Sequence, residues 1–525
     1  MTIVPAVATH AQAALLTAAA IGAAAVLILR DPRARAVTML ASLVLAVGGI
    51  VALKAHTVSD GISGHGKLVV VAAVAGLIGL VVVTVVIQRW PQAFALLAFA
   101  ALPFRVPVGF GSETSNLLVP LYGVIAAGAL AFALRAWREP VPAVAPAGGS
   151  GAGARALRRV QVALGIVVVL YAIQSAYSSD VSQASVSVCC FYVPFAALLA
   201  LLLDVQWTNR LLAQVFWVVV GLALLFAAVG FVEAATGRLL ISNAKVLAAN
   251  EIKPYFRVNS LFFDPNIYGR FLALTMIVIA AALPALRRGR QVGVAAVVLA
   301  VLWAGMVLSL SQSSFAALLL GLLVLAALRW RASVVWGVTA LAVVVAVAVA
   351  LLAPAQVGLH TSSAKGLDRS TSGRADLIKG GVKMARDRPL WGFGSGSFAD
   401  RYRKRQHVHS QKTAAASHTI PVTIAAEQGA IGVISYLWLL VCAFGLLFGG
   451  LRAAVRAGPG KGVGRAAMAA AYVGLVLHTL VYAAFLEDPL SWVLLALGAA
   501  LRLAAERRAD APVPPLTPER EPVPA

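Results

Sequence analysis

The sequence predicts an all-α, polytopic integral membrane protein with about 12–15 transmembrane helices and one large extracytoplasmic loop domain. Hydrophobic residues make up 61% of the 525 residues, charged residues make up only 12%, and the mean hydropathy is +0.89. Apolar runs of about 18 or more residues recur from end to end, and each is long enough to cross a bilayer as a helix. These runs are continuous, whereas the strands of a membrane barrel alternate apolar and polar residues. We therefore expect a bundle of helices.

The apolar runs also divide the chain into regions. We predict spans at roughly 12–30, 36–53, 68–88, 92–103, 116–134, 160–178, 185–203, 211–234, 261–285, 292–309, 312–329, 332–353, 420–450, 465–485 and 489–504. The N-terminal transmembrane helices then occupy 1–138, the central ones 159–353 and the C-terminal ones 419–505. The polar regions are predicted to be a flexible cytoplasmic linker at 139–158, an extracytoplasmic basic loop domain at 354–418 and a disordered, Pro-rich cytoplasmic tail at 506–525.

The distribution of Lys and Arg predicts the orientation of the chain. Basic residues concentrate in short loops that fall on one side when the spans are counted, and that side should be cytoplasmic. These loops lie at 30–35, 89, 135–159, 287–290, 329–331, 452–465 and 502–508. The N-terminus and the loops at 54–67, 178–184, 235–260 and 354–418 then lie outside, and the C-terminus lies inside. The first apolar run has no basic n-region and no clear cleavage site, so we expect it to be retained as a helix.

The net charge of +23 has two sources. Much of it anchors cytoplasmic loops, so it does not indicate a nucleic-acid partner. The predicted outer loop 354–418 differs, because it carries twelve Lys and Arg against four Asp on the side where basic residues are normally sparse. An anionic partner explains this excess, either the phosphate of a lipid carrier or the membrane lipids themselves.

Within the outer loop, residues 374–387 are predicted to form an amphipathic helix. Lys379, Lys383 and Arg386 are spaced four and three residues apart and therefore share one face, which could point toward phosphates. Pro389 would end the helix. The glycines that follow, which include Gly394 and Gly396, permit a tight backbone path; they could bring amides close to a ligand or serve only as loop punctuation.

Four polar segments appear in a fixed order along the second half of the chain. The first runs from Arg257 to Asp264, Pro265 and Asn266, and the second is the hairpin 309–314, of sequence Ser-Leu-Ser-Gln-Ser-Ser. The third runs from Gly373 and Arg374 to the segment 389–396, of sequence Pro-Leu-Trp-Gly-Phe-Gly-Ser-Gly. The fourth is His418, followed by the segment 427–432, of sequence Glu-Gln-Gly-Ala-Ile-Gly. With these four segments in this order, the chain resembles the superfamily of O-antigen ligases and O-antigen polymerases, which are polytopic membrane glycosyltransferases. The resemblance covers roughly 250–435.

The resemblance implies a function, a location and site residues. Members of this superfamily take a glycan from undecaprenyl diphosphate and pass it to a glycan, lipid or protein acceptor on the outer face of the bacterial plasma membrane. The family pattern places a functional histidine at His418 and arginines at Arg257 and Arg374. Two positions depart from the pattern: Gln312 stands where arginine is usual, and Thr419 where asparagine is frequent.

The residue types suit this chemistry independently. Arginine stabilises a departing diphosphate because its planar fork binds two phosphate oxygens and stays charged, and a histidine with a pKa near 6.5 can accept the proton of an acceptor hydroxyl. No Asp-x-Asp begins an outer loop and the three cysteines lie in apolar spans, so we expect a metal-independent reaction without a cofactor. The resemblance implies an inverting reaction, with the lipid tail of the donor held in a groove between helices. The candidate substrate-binding residues are Asp264, Asn266, Arg270, Gln312, Lys379, Lys383, Arg386, Gly394, Gly396 and Glu427.

Other interpretations of these residues stay open at this point. His418 could cap a helix, Arg257 and Arg374 could be interfacial anchors, and Asp264 could cap and kink the helix that follows it. Glu427 suits a structural partner for an arginine or for a backbone gap better than a catalytic base, and the Glu487 and Asp488 pair could be an ordinary turn. The alternative functions are a polysaccharide polymerase of the same superfamily, a transporter or flippase for an anionic or lipid-linked solute, and a scaffold without catalysis.

Overall fold

The computed structural model describes residues 3–53, 55–110, 113–138, 151–241, 256–330, 374–406, 419–458, 460–482 and 484–510, with a few positions between 332 and 344. Several predicted features therefore lie outside the described residues: most of the linker, much of the predicted span 332–353, the two ends of the outer loop with His418, and the tail beyond residue 510. Within the described residues the chain is a helical bundle.

The N-terminal part contains five helices and one hairpin. The helices are α1 (Ile3–Ile28), α2 (Pro32–Leu53), α3 (Ala55–Arg89), α4 (Gln92–Ala101) and α5 (Val119–Arg138). Two short antiparallel strands, β1 (Val106–Phe110) and β2 (Glu113–Leu117), lie between α4 and α5, with Val106 opposite Leu117. This hairpin was not predicted, because five-residue strands between two apolar spans leave little periodic signal.

Within the described residues between 151 and 330, the central part has seven α-helices and one π-helical segment. The helices are α6 (Ala152–Gln174), α7 (Val181–Val186), α8 (Val193–Asp204), α9 (Asn209–Thr236), α10 (Pro265–Ala282), α11 (Gly289–Ser309) and α12 (Gln312–Arg329). The π-helical segment Ser187–Tyr192 joins α7 to α8, so that Val181–Asp204 is one continuous span. Helix α6 begins at Ala152, inside the segment for which a flexible linker was predicted.

The C-terminal part carries the described section of the outer loop and the last spans. Its helices are α13 (Arg374–Asp387), α14 (Phe398–Gln406), α15 (Ile420–Phe448), α16 (Leu451–Arg456), α17 (Val463–Thr479) and α18 (Pro489–Ala509). Helix α15 is interrupted at Gly429, whose backbone angles (φ 65°, ψ −160°) are not helical. The interruption frees backbone groups in the middle of an apolar helix.

The described helices confirm the predicted all-α membrane fold. Eleven of them are long and apolar enough to cross a membrane, and shorter apolar helices such as Ala73–Arg89, Gln92–Ala101 and Val463–Thr479 accompany them. Large side chains such as Trp492, Phe195 and Tyr472 are fully buried between the helices. The protein is therefore a multi-pass membrane protein.

Arginines from the predicted cytoplasmic loops gather at one end of the bundle. There Arg158 donates to the carbonyl of Ile28 (2.6 Å), Arg35 to that of Ala200 (2.8 Å) and Arg502 to that of Gly445 (2.9 Å). These contacts satisfy carbonyls near helix ends and pair with the negative ends of helix dipoles. The opposite end carries α13, α14 and the polar clusters described below. The arginines of the predicted cytoplasmic loops therefore lie together at one end of the bundle, as the predicted orientation requires.

Candidate active site

Arg257 is held by two residues from different helices, at the end of the bundle that is predicted to lie outside. Its Nε donates to the carbonyl oxygen of Ser309 (3.0 Å), and its Nη2 donates to Oδ1 of Asn266 (3.1 Å). The start of α10 makes this possible: Asp264 is the N-cap residue, its Oδ1 accepts the N–H of Asn266 (2.6 Å), and Pro265 occupies the first turn. The predicted arginine and the predicted capping carboxylate therefore meet in one cluster.

The serine hairpin between α11 and α12 completes this cluster. Leu310 turns the chain with a positive φ of 50°. The hydroxyl of Ser311 then lies 2.9 Å from Oδ1 of Asn266, 2.8 Å from the hydroxyl of Ser314 and 3.2 Å from that of Ser313. Gln312, a predicted substrate-binding residue, is exposed and stands apart from these contacts. Three serines and Asn266 thus form a buried polar network beside Arg257.

His478 extends the network into a third helix. It lies in the last turn of α17 and is fully buried, and its Nε2 is 3.1 Å from the hydroxyl of Ser313. His478 was not among the site residues predicted from the sequence. A signal was available, because an ionisable side chain inside an apolar span is a functional candidate by default.

Arg270 and Asp488 form a second, deeply buried pair at the same end. The guanidinium Nη2 of Arg270 contacts the carboxylate of Asp488, and only 1% and 2% of the two side chains is exposed. Asp488 also caps α18 by accepting the N–H of Leu490 (2.9 Å). The guanidinium carbon of Arg270 lies 5.8 Å from the ring centre of Tyr482, whose hydroxyl is hydrogen-bonded to Asp264. The expected outer turn at 487–488 is therefore part of the polar cluster.

Glu427 binds the segment 389–398 to the interrupted helix α15. Its carboxylate accepts the N–H groups of Gly396 (2.9 Å) and Phe398 (3.0 Å), and its carbonyl accepts the N–H of Gly394 (2.8 Å). On the other side of the interruption the N–H of Ala430 donates to the carbonyl of Pro389 (2.7 Å). The geometry agrees with the interpretation of Glu427 as the partner of a backbone gap.

The glycines of this segment serve close packing. Gly392 and Gly394 have φ of 67° and 96°; a Cβ on Gly392 would lie 2.3 Å from the backbone of Glu427, and one on Gly394 would lie 2.5 Å from that of Ser178. Only glycine fits such positions without strain. The amides of Gly394 and Gly396, which could have approached a ligand, instead donate within the protein.

Helix α13 is amphipathic as predicted, and part of its apolar side packs against neighbouring segments of the protein. Leu377 and Met384 are buried in a small cluster with Phe393, Phe398 and Tyr402. A helix that packs its apolar side against neighbouring segments keeps only its polar side for solvent or ligands. That basic side carries the exposed residues Lys379, Lys383 and Arg386. Arg374 begins this helix, while Gly373 and His418 lie outside the described residues.

An apolar groove of about 330 Å³ lies within the transmembrane part, between α4, α9, α10, α17 and α18. Phe216, Val278, Ala467 and Leu497 are among the residues that line it. At its rim, Leu102, Phe271 and Leu490 also line a small second pocket that contains Arg105, Arg270 and Asp488. A hydrocarbon-lined groove therefore meets charged side chains.

Residues 295–437 match the O-antigen ligase family. This confirms the resemblance stated from the sequence for the segment that runs from α11 to the first part of α15. It includes the serine hairpin, α13 and Glu427. Arg257, Asn266, Arg270 and His478 lie outside the matched segment. The fold brings Arg257, Asn266 and His478 into contact with its serine hairpin. No curated protein matches the chain.

Proposed function

We propose that this protein is a metal-independent, inverting glycosyltransferase that moves a glycan from undecaprenyl diphosphate to an acceptor on the outer face of the bacterial plasma membrane. The observation that carries the proposal is the position of Arg257. Its guanidinium is held by Asn266 and Ser309, against the hairpin that belongs to the O-antigen ligase match. A charged fork thus lies at the outer end of the bundle, where a lipid-linked diphosphate would arrive.

The contacts of Arg257 suit the binding of a diphosphate. Asn266 and Ser309 are neutral acceptors, and their two contacts orient the guanidinium. The buried serines and His478 fix the carboxamide of Asn266 in turn. Preorganised cations stabilise charge that develops in a transition state, and this is commonly the largest single contribution to catalysis. In the proposed reaction, charge develops on the departing diphosphate.

The proposed chemistry is a single displacement. The acceptor hydroxyl attacks the anomeric carbon of the donor sugar, the bond from that carbon to the diphosphate oxygen breaks, and the configuration inverts. The electron pair stays with the diphosphate, where Arg257 and Arg374 stabilise it. The hydroxyl proton goes to His418, and a positioned histidine base contributes typically 10²–10⁴-fold to such a step.

The outer basic surface would guide the donor to this site. Lys379, Lys383 and Arg386 face away from the packed side of α13, and they add positive charge on the side where the diphosphate is presented. The apolar groove offers a place for the polyprenyl chain at membrane depth. In this proposal the ligase and polymerase reactions use the same donor site and differ in the acceptor.

Reconstitution of the full chain into proteoliposomes tests the proposal. The vesicles would contain a polyprenyl-diphosphate-linked oligosaccharide and a hydroxyl-bearing acceptor glycolipid, and mass spectrometry would detect the new glycosidic bond. We expect transfer by the wild type and by Arg238→Gln, whose exposed arginine follows α9, and loss of transfer by Arg257→Gln. Movement of the donor across the vesicle membrane without bond formation would identify a flippase instead.

A further inference from the structure

Two large apolar side chains are exposed on the described section of the outer loop. Leu390 and Trp391 follow α13, and they are 61% and 59% exposed. The chain directly after them, 392–398, is buried throughout. Contiguous exposed apolar side chains mark a contact with a partner or with a membrane. We call residues 389–391 the apolar turn.

The apolar turn is held through its backbone. Its three carbonyl groups accept, in chain order, the N–H of Ala430 (2.7 Å), the N–H of Ile431 (3.4 Å) and the hydroxyl of Tyr177 (2.7 Å). The first two donors lie just after the interruption of α15, and Tyr177 lies just after α6. The apolar turn is therefore fixed between two membrane-spanning helices, while the side chains of Leu390 and Trp391 remain exposed.

On α15, the apolar turn adjoins a side of the helix that faces lipid. Ile434, Leu437 and Val441 are exposed, and their spacing of three and four residues places them on one face. Ile431, whose N–H contacts the apolar turn, lies three residues before Ile434 and belongs to the same face. Because α15 spans the membrane, its exposed apolar face is in contact with lipid. The apolar turn lies at the outer end of this face.

On α6, the apolar turn adjoins a second side that faces lipid. Ile166 and Ile173 are exposed and seven residues apart, which places them on one face of the helix. Tyr177, four residues beyond Ile173, is also exposed and donates its hydroxyl to the apolar turn. Helices α6 and α15 pack against each other. The lipid-facing sides of two neighbouring helices therefore converge at the apolar turn.

The lengths of these two helices place the apolar turn at the boundary of the hydrocarbon layer. From Ala430 to Phe448, α15 spans about 28 Å, and the 23 residues of α6 span about 34 Å. The hydrocarbon core of a bilayer is about 30 Å thick. Counted from the end at which the arginines of the predicted cytoplasmic loops gather, both helices therefore reach the opposite boundary beside the apolar turn.

The side chains around the apolar turn suit this boundary. Trp and Tyr are enriched where hydrocarbon meets headgroups, because their rings are apolar and each carries one polar group. Trp391 and Tyr177 supply both residue types at one level. Arg386 and Arg388 are exposed beside them, and arginine binds the phosphate of a lipid headgroup. An apolar tip with a basic flank, next to two lipid-facing helix sides, fits a phospholipid surface better than a soluble protein.

We propose that the apolar turn is a membrane anchor, which inserts into the leaflet nearest α13 with Leu390 among the acyl chains and Trp391 at the level of the headgroups. The partner is the phospholipid surface itself. The anchor goes beyond the proposed function and does not depend on it. The apolar turn joins α13 to the buried segment 392–398, so the inserted side chains fix the height of the basic side of α13 above the bilayer.

Site-directed spin labelling tests the anchor in the full chain. Cys189, Cys190 and Cys442 are replaced by alanine, and a nitroxide is then attached, in separate proteins, to Leu390→Cys and Trp391→Cys. Both native side chains are exposed, so these two substitutions remove little packing. Each protein is placed in nanodiscs at one chain per disc. Collisions of the nitroxide with oxygen, which concentrates in hydrocarbon, are compared with collisions with a water-soluble nickel complex.

Two further labelled sites calibrate the measurement. Lys379→Cys, on the exposed side of α13, is the aqueous control, and Val441→Cys, on the lipid-facing side of α15, is the hydrocarbon control. We expect the ratio of oxygen to nickel collisions to be severalfold higher for Leu390→Cys than for Lys379→Cys, and the ratio for Trp391→Cys to fall between the two controls.

Two results would overturn the anchor. A collision ratio for Leu390→Cys equal to that for Lys379→Cys would place the apolar turn in water. Low access of both reagents to Leu390→Cys would show that protein covers the apolar turn. None of these measurements involves glycan transfer, so they give the same answer whether or not the proposed function holds.

Discussion

Arg257 and Asn266 are joined by a hydrogen bond of 3.1 Å between Nη2 and Oδ1, at the start of α10. Oδ1 of Asn266 also accepts a hydrogen bond from the hydroxyl of Ser311, so one carboxamide oxygen links the arginine to the hairpin between α11 and α12. The orientation of the guanidinium therefore depends on a helix start and a helix turn that are more than forty residues apart in the sequence. Nε and Nη2 each have a defined acceptor, and the single ammonium group of a lysine could not reproduce both contacts.

Arg257→Lys should therefore abolish most of the transfer activity although it keeps the charge. A lysine cannot contact Ser309 and Asn266 at once, and it cannot bind a phosphate through two parallel donors. We expect kcat to fall roughly 10²-fold or more, which is the usual effect of losing one preorganised donor to a developing anion. Steady-state kinetics on the reconstituted protein give the measurement, and Arg238→Lys is the matched control. Wild-type kcat in Arg257→Lys would contradict this role.

Glu427→Ala should loosen the segment 389–398 rather than alter the chemistry directly. The carboxylate accepts the N–H groups of Gly396 and Phe398, so its removal leaves two buried donors unpaired at a cost of about 1–3 kcal/mol each. Hydrogen exchange of this segment should accelerate. Glu427→Gln keeps one acceptor oxygen and should give an intermediate rate. Unchanged exchange in the alanine variant, together with loss of transfer, would instead support a direct role of Glu427 with substrate.

Much of the fold could be predicted because the membrane imposes a strong sequence signal. A span needs a long apolar run, and the runs around 36–53 and 211–234 became α2 and α9 with ends close to those expected. The hairpin of β1 and β2 and the π-helical segment Ser187–Tyr192 were not predicted. Neither element changes hydropathy, which is the signal from which the spans were predicted.

The candidate site was predictable in part for a related reason. Arg257, Asp264 and Asn266 stand out because they are polar residues at the edge of an apolar run, and the structure brings them together. The contacts of His478 with Ser313 and of Arg270 with Asp488 join residues far apart in the sequence. Such contacts depend on which helices become neighbours in the folded bundle, and this arrangement could not be predicted from a single sequence.

The predicted orientation can be tested by cysteine accessibility. Cys189, Cys190 and Cys442 are buried and would first be replaced by alanine. A cysteine at Lys379, on the exposed side of α13, should then react with a membrane-impermeant thiol reagent in intact protoplasts, and one at the exposed Lys461 should react only after lysis. Ser395 is unsuitable for this test because it is fully buried. The reverse labelling pattern would place the site in the cytoplasm.

Glu487→Gln should reduce the pH dependence of stability. Burial raises the pKa of this carboxyl above its ordinary value of 4.5, so the folded state favours the protonated form. The wild type should therefore lose stability as the pH rises from about that value through the raised pKa, whereas a glutamine has no such loss. Apparent Tm values at several pH values, compared between the two proteins, provide the measurement. A gap that does not widen in favour of the glutamine variant with rising pH would contradict the expected direction.

His418 lies outside the described residues, and its role as the base stays a prediction from the sequence. His418→Ala should lower transfer by about 10²–10⁴-fold while leaving binding of the lipid-linked donor nearly unchanged. The kinetic signature is a fall in kcat with little change in donor affinity, because a base acts on the acceptor hydroxyl in the transition state. Wild-type transfer by the purified variant would remove His418 from the mechanism, and His478→Ala is then the next variant to measure.

The last prediction concerns how the diphosphate charge is stabilised. If Arg257 and Arg374 carry it, transfer should continue in excess chelator, since arginines need no metal to bind phosphate oxygens. Among the described residues, no three His, Cys, Asp or Glu side chains converge in a way that could hold a metal ion. The assay compares the rate before and after dialysis against chelator, and then after magnesium or manganese is added. Complete loss in chelator with recovery on adding metal would refute the arginine mechanism, and attention would move to Asp264, Glu487 and Asp488 as ligands.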